Sequence, residues 1–441
     1  MRNFFKNFNF FGKRKSILLA GYDIAGHYSG LSEGFDFFGI DHTLGSIPNY
    51  QRVNYQNKKI ETILRIYILL TQNAHSSQRK NILNKFISYF LQRTYSLIMP
   101  IWVVLNFKRV LFSQGRTYTD TIFELIFYKL FNTKVAVSFH GTDARPQYLN
   151  GHLYPPNSKI NWKKMKIKTL ATAKKIRIME NYCYRIFCYP SASHFFSKEF
   201  IYGPFGNPVV PPKGINNKKR INLNQEKIKI FHCPSDPIGK GSYEFRKIVN
   251  QLKEEGYKIE LLEKTNVPTK EVHEGIIDSD IVFNCLWNDI NGGTFPAESI
   301  YWGKPVINGS YFAKAYPYFF ENNELAMPTI FVPPDKVKSV IVELCQNEEF
   351  RNLFKEKGLN YSKTHGTLKS ISEKYIKSLF EKPNQNWIHN PNNYEYCYGY
   401  GADEIHIKYL IREYIKRFGS SALCLDHKPS LKAKILEFSK S

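Results

Sequence analysis

Apolar and polar positions along this chain fall into short apolar runs alternating with helical stripes. Residues 16–20 form an apolar run, a glycine-containing loop follows over 21–30, and a helical pattern begins at Leu31. Strand, loop and helix in that order open a doubly wound α/β sheet. The stretches 60–70 and 79–98 read as helices. In the second, apolar residues recur at mixed three- and four-residue spacing, with Arg79, Lys80, Lys85 and Arg93 between them. β-Branched or apolar runs at 110–113 and 134–138 flank a predicted helix over 119–131. Another predicted helix, 162–182, ends near a short strand at 185–188.

Residues 203–214, GPFGNPVVPPKG, place Pro or Gly at seven of twelve positions, which neither helix nor sheet absorbs. After this linker the alternation restarts with strand 229–233, a loop carrying Lys240, helix 243–255 and strand 258–262. Helix 270–277, strand 281–284 and a second loop at Gly292-Gly293 follow, and 336–380 is helical in pattern. The expected fold class is α/β: two Rossmann-like doubly wound domains facing across a cleft. The expected segments are a basic aromatic stretch 1–15, a first domain 16–210, a second domain 211–380 and an extension 381–441. The extension starts aromatic, Asn-rich and irregular, holds a helix at 405–417 and carries no motif.

Length agrees with two domains, since 441 residues exceed one comfortable core. Hydrophobic residues at 43% and aromatics at 15% are enough to fill both. A net charge of +24 points to an anionic partner, whether nucleic acid, phosphorylated substrate or acidic membrane surface. The abundance of Asn, Lys, Ile, Tyr and Phe offers a plainer source for part of that charge. No helix-turn-helix, finger or RNA-binding aromatic signature is present, so nucleic acid is not an expected partner. Seven cysteines without a C-x-x-C pair read as free thiols in a reducing compartment, which leaves the sequons at Asn308 and Asn360 unused.

No apolar span approaches the ~20 residues that cross a bilayer. The longest apolar run, 97–105, is nine residues and contains Pro100. The first fifteen residues carry five basic side chains, no acid and five phenylalanines, Phe4, Phe5, Phe8, Phe10 and Phe11. Asparagines interrupt the apolar core that a secretory signal needs. Two readings stay open: a segment lying on an anionic membrane surface, or a plain basic tail.

The candidate chemistry sits in two loops. The stretch 285–307, CLWNDINGGTFPAESIYWGKPVI, leaves an apolar segment through a Gly-rich loop and opens a short helix carrying Glu298. Helix N-termini and exposed loop amides favour anionic oxygens. Some fifty residues upstream, PSDPIGKGS supplies Lys240 beside Gly241. A carboxylate that accepts two sugar hydroxyls and a cation for phosphate together suit a nucleotide sugar. Each loop alone also fits an ordinary strand-loop-helix turn.

The two loops, their order and the paired halves resemble the GT-B glycosyltransferases, specifically the retaining family four type, over roughly 16–380. The closest likeness is AESIYWGKPVI, similar to the family's Glu-Ala-x-x-x-Gly-x-Pro-Val-Ile run. SFHGTDAR, 138–145, is similar to its His-Gly-Ser/Thr-Asp segment, and Gly21 and Gly26 occupy its first Gly-containing loop, on the acceptor side. The resemblance implies that Glu298 accepts the donor ribose hydroxyls, with Gly241 beside Lys240, which neutralises the departing diphosphate. It implies that the Gly293 and Thr294 amides contact donor phosphate or sugar, and that His140 with Asp143 faces the transferred sugar or acceptor. It implies a metal-free site with no cofactor beyond the nucleotide-sugar substrate. Two departures stand out. The acidic residue usual eight positions before the glutamate is Ile290, with Asp289 adjacent and expected to take its donor-binding place after a one-residue shift. The arginine usual five before the lysine is Ser235, for which a basic residue from elsewhere would have to stand in.

The expected activity is metal-independent transfer of a sugar from a nucleoside diphosphate to a glycan or lipid-linked acceptor, in bacterial surface polysaccharide synthesis. The expected location is the cytoplasm, at the inner membrane face if the basic front end docks there. The alternative is a non-catalytic subunit that keeps the fold for binding.

Overall fold

The computed structural model describes residues 14–49, 62–75, 82–215, 227–321 and 323–441. In chain order the strands are β1 (Ile17–Ile24), β2 (His42–Asn49), β3 (Arg109–Ser113), β4 (Lys134–Ser138), β5 (Arg185–Cys188) and β6 (Phe200–Tyr202). After the linker come β7 (Ile228–His232), β8 (Ile259–Glu263), β9 (Ile281–Asn288), β10 (Val306–Ser310), β11 (Ile330–Val332) and the two-residue β12 (Ile388–His389). They form two sheets, ordered β12-β6-β5-β4-β3-β1-β2 and β11-β10-β9-β7-β8. Pairing is parallel except for β12 against β6. This is the pair of doubly wound halves that the alternation predicts. Strand order reverses at β1, flanked by β2 and β3, and again at β7, flanked by β8 and β9. Such reversals leave a crevice at the carboxyl ends of the strands, where ligands bind in open α/β sheets.

Several elements differ from their predicted form for identifiable reasons. β2, HTLGSIPN, has no strand-like run, yet as an edge strand it tolerates Pro48. The first helix, His27–Phe37, starts four residues before Leu31 because Asp23 caps it, accepting from the Tyr28 amide at 2.8 Å and the Ser29 amide at 3.1 Å. The helix Ile82–Asn106 runs straight through Pro100. An interior proline costs a helix about 3 kcal/mol; the buried side chains beside it, Met99 before it and Val103 and Val104 on the following turn, offset it. The helix Ile122–Leu130 begins later than predicted, where the Thr121 hydroxyl accepts from the Glu124 amide.

The chain crosses back to the first domain before it ends. The helix Leu368–Phe380, grouped by sequence with the second domain, sets Ile371, Tyr375 and Leu379 against Leu31 and Phe35 of the first. Arg109 Nε and Tyr184 Oη both donate to the Leu379 carbonyl, at 3.1 and 3.0 Å. The extension then adds β12 to the first sheet, and its helix Glu404–Phe418 buries Ile407, Leu410, Ile411 and Tyr414 in the core that holds Met165 and Ile176. Phe4, Phe5, Phe8, Phe10, Phe11, Arg79 and Lys80 lie outside the described residues. Of the basic front end, Arg14 donates to the Phe107 carbonyl at 2.9 Å and Lys15 to the Thr43 hydroxyl at 2.9 Å.

Candidate functional site

The second sheet's reversal point brings the two singled-out loops together. Lys240 follows β7, and its ammonium reaches Asn284 Oδ1 on β9 at 3.4 Å. Gly241 then opens the helix Ser242–Glu254 at φ +72°, and a Cβ there would stand 2.6 Å from Leu286 Cβ. Both the left-handed backbone and the close approach require glycine at this point. Burial disfavours the Lys240 charge, but Tyr400, Cys285 and Asp236 outweigh it and leave the pKa raised, so the residue is a cation at physiological pH.

Behind Lys240 runs a chain of buried amides. Asn284 Nδ2 donates to Asn308 Oδ1 at 2.6 Å, Asn308 Nδ2 to Thr329 Oγ1 at 3.2 Å, and Thr329 Oγ1 to Asn291 Oδ1 at 2.7 Å. The lysine is thereby coupled to the base of the Gly292-Gly293 loop. Gly293 precedes the helix Thr294–Tyr301, on which Glu298 is buried with Oε1 3.4 Å from His273 Nε2. Trp302 Nε1 donates to His273 Nδ1 at 2.8 Å, so the imidazole carries its proton on Nε2, toward the carboxylate.

Across the interface, the first domain presents His140 and Asp143 after β4. The His140 amide donates to Asp143 Oδ1 at 2.9 Å, which makes this carboxylate a turn-former. His140 Nε2 and Asp143 Oδ2 are buried without partners. Burial pushes the His140 pKa down to about 4 and the Asp143 pKa up, so the imidazole is neutral at physiological pH. His27 packs edge-on to His140 at 6.3 Å between ring centroids. It bonds Tyr375 Oη at 2.9 Å and Asn207 Oδ1 at 2.8 Å, and Asn207 Nδ2 donates to Thr294 Oγ1 at 2.5 Å. The linker thus ties the first domain to the amino end of the glutamate helix.

Asp289 is placed differently from its expected donor-binding position. It and Arg145 are 2% and 1% exposed and form an ion pair across the interface. Arg145 Nη1 also donates to Asn150 Oδ1 at 2.8 Å, and the guanidinium lies 5.0 Å from the Tyr400 ring centroid. Tyr400 comes from the extension, where Gly401 N donates to the Trp287 carbonyl at 3.1 Å. A second bridge, His152 Nδ1 to Asp236 Oδ2 at 2.6 Å, flanks the lysine loop. Gly21 lies within β1 against Ser113, while Gly26 precedes the first helix; the nearby helix amides are taken by Asp23. The sequence contains one Asp-x-Asp spacing, Asp278-Ser279-Asp280. It lies at the amino end of β9, away from the loops, with Asp278 paired to Lys229 at 3.2 Å and Asp280 accepting from the Lys229 amide at 2.8 Å.

Sequence spacing thus brings Lys240, Gly241, Gly293, Thr294 and Glu298 into one half-site, with His140 and Asp143 across from it. It missed His27, Asn207, the asparagine chain, Arg145 and Tyr400. Arg145 lay within the quoted SFHGTDAR string, and Asn207 within the linker.

No protein-family model matches the chain, and no curated protein sequence matches it. Among solved structures, it is similar to the catalytic domain of starch synthase IV from Arabidopsis thaliana bound to ADP and acarbose. Identity there is 10% over 83% of this chain and 99% of that one, with a TM-score of 0.48. It is similar to HepE of Anabaena in complex with UDP and glucose, at 10% identity over 82% and 99% of the chains and a TM-score of 0.46. It is also similar to OtsA in its apo form, at 11% identity over 84% and 100% and a TM-score of 0.45.

Proposed function

We propose that this protein is a metal-independent glycosyltransferase that moves a sugar from a nucleoside diphosphate to a glycan or lipid-linked acceptor. The observation that carries this reading is the link from Lys240, after β7, through the buried asparagine chain to Asn291, two residues before the Gly293-Thr294 turn that opens the Glu298 helix. In the proposed reaction the bond between anomeric carbon and diphosphate oxygen breaks with its electrons leaving on the diphosphate. The acceptor hydroxyl oxygen bonds to the anomeric carbon, and the hydroxyl proton passes to the departing diphosphate. Lys240 stabilises the growing charge, while the buried asparagine chain holds the ammonium in place. The Gly293 and Thr294 amides meet donor oxygens at the helix start. Glu298 accepts ribose hydroxyls. His140, neutral and with a free Nε2, hydrogen-bonds a sugar hydroxyl instead of acting as a cation.

The proposed setting is bacterial surface polysaccharide synthesis at the inner face of the membrane. Phe86, Phe90, Leu97, Ile101 and Leu105 on the helix Ile82–Asn106 are all more than 40% exposed, and neither that helix nor Thr62–His75 contains an acid. An exposed apolar face on a basic protein suits an anionic lipid surface. Among the described residues no helix is long and apolar enough to cross a membrane.

A thermal-shift screen with UDP, ADP and GDP tests the donor site: a nucleotide at ~100 times its dissociation constant stabilises by about 2.7 kcal/mol. No shift with any nucleoside diphosphate overturns the proposal. It would favour the second reading, a non-catalytic binding subunit, which the engagement of Asp289 by Arg145 and the packing of Tyr400 beside Lys240 support.

A further inference from the structure

The first domain holds a recess that the donor chemistry leaves unused. It is an open recess with a cavity volume of about 90 Å³, lying between the end of β1, the loop that follows β3 and the helices Thr62–His75 and Ile82–Asn106. That is the first sheet's own reversal point, the counterpart of the Lys240 crevice. Its walls are aromatic: Tyr22 from β1, Phe112 from β3 and Tyr67 from the first of the two helices. Phe112 and Tyr67 are almost wholly buried, whereas the lining tyrosines Tyr22 and Tyr89 keep exposed ring surface that suits the C–H face of a pyranose. Tyr118, only 5% exposed, also lines the recess, and its hydroxyl has no hydrogen-bond partner. A buried hydroxyl without a partner is costly and marks a place where a ligand oxygen is missing.

The rim is cationic. Arg93 donates through Nε to Tyr89 Oη at 3.0 Å and lies over that ring, which fixes the guanidinium and leaves its terminal nitrogens available. Arg116 stands exposed on the opposite side. The one acid of the lining, Asp120, accepts from the Thr117 amide at 2.9 Å. Two guanidiniums facing one occupied carboxylate select an anion, and their planar forks suit phosphate or carboxylate.

We propose that this recess binds the acceptor as a saccharide bearing a phosphate or carboxylate beside the sugar. The ring lies on the tyrosine walls, a hydroxyl meets Tyr118 Oη, and the anion rests on Arg93 and Arg116. Naming the ligand as acceptor rests on the transferase reading; the binding itself does not.

Saturation-transfer NMR on the full chain tests it, with a hexose 1-phosphate, a hexuronate, a neutral methyl hexoside and inorganic phosphate as probes, each with and without saturating UDP. The phosphate and carboxylate arms tell which anion is preferred. At least one anionic sugar should bind about ten-fold more tightly than the neutral sugar and than phosphate alone, and UDP should not displace it. Arg93→Gln with Arg116→Gln should abolish the preference, and Tyr118→Phe should weaken the sugar that binds, both with unchanged melting temperature. Absence of binding, equal affinity for charged and neutral sugars, displacement by UDP, or full binding by the double variant would each overturn the proposal. Saccharide binding that persists in a protein blind to every nucleotide would fault the transferase reading alone.

Discussion

Replacing Asp289 by Asn separates two roles for one residue. Counting from Glu298 puts it beside the family's acidic position, where loss of its charge would weaken donor binding and spare the fold. The structure instead locks it to Arg145, with both side chains at most 2% exposed. Burial raises the Asp289 pKa, and Arg145 opposes that shift. Without that carboxylate, Arg145 is left with Asn150, the Tyr400 ring and the field of Asp143, which is itself buried and pushed toward its neutral form. Breaking a buried pair from one side costs about 3–5 kcal/mol. An isosteric Asn retains an acceptor oxygen, which puts this change near the lower end, about 3 kcal/mol. With a urea slope of about 3 kcal/mol per molar, the midpoint should fall by about 1 M. Tryptophan fluorescence reports it, since Trp287 lies at the interface and its carbonyl accepts from Gly401 N. The double change Arg145→Met with Asp289→Leu should recover most of the loss, because an apolar pair of similar volume carries no desolvation penalty. An unchanged midpoint in Asp289→Asn, combined with ten-fold weaker UDP binding, would refute this reasoning and return Asp289 to the donor loop.

Lys240→Ala should mainly lower the maximal rate, because its interaction grows as the diphosphate departs, whereas Glu298→Ala should mainly raise the donor KM. Wild-type kinetics from both variants would remove the proposed roles. The His27 pKa is depressed to about 4, chiefly by burial and next by His140, against about 6.5 unfolded. The unfolded chain therefore binds the proton first, so this contribution, up to about 3 kcal/mol, is present above pH 6.5 and is lost as pH falls toward 4. Urea midpoints between those values should slope upward with pH, and His27→Gln should remove up to one proton from the slope; an unaltered slope counts against a buried neutral imidazole. A Cβ on Gly34 would meet Ser372 Oγ at 1.8 Å and Ser372 Cβ at 2.5 Å. Gly34→Ala should thus cost about 1–3 kcal/mol by melting, with rescue by Ser372→Gly but not by Ser372→Ala, if the helix Leu368–Phe380 belongs to the first domain's packing. Phe90→Asp with Leu97→Asp should abolish sedimentation with anionic vesicles; pelleting equal to wild type sinks the membrane proposal.

The sequence disclosed what short-range rules control. Lys240-Gly241 and Gly292-Gly293 were legible because each follows an apolar run and opens a helix, and the helix Glu404–Phe418 was legible from its stripe alone. Its docking partner was not, since periodicity says which face is buried and nothing about what buries it. Arg145, two residues after Asp143, reads from sequence as a local surface pair with it, whereas its partner is Asp289, 144 positions away. Tyr400 sits in a stretch with no pattern at all, and His27 was read as a loop residue because the Asp23 cap that starts its helix early was not recognised.

The Asp289 discrepancy shows why counting positions fails where a strand runs on. β9 was expected to end at Asn284, which would leave residues 285–291 as a loop free to shift by one. It continues to Asn288, buried at all eight positions, and its pairing with β10 slips register on either side of Asn308. Residues 285–288 are therefore fixed by the sheet, and Asp289 follows directly on the strand end. Its carboxylate is committed to Arg145, buried on both sides, so it is not free to take the place of Ile290 at the counted position. Arg145, from the facing domain, lies over the Tyr400 ring but is already neutralised by Asp289. Lys240 is consequently the cation on which the proposed donor site depends, and its substitution bears most directly on whether this chain transfers sugar.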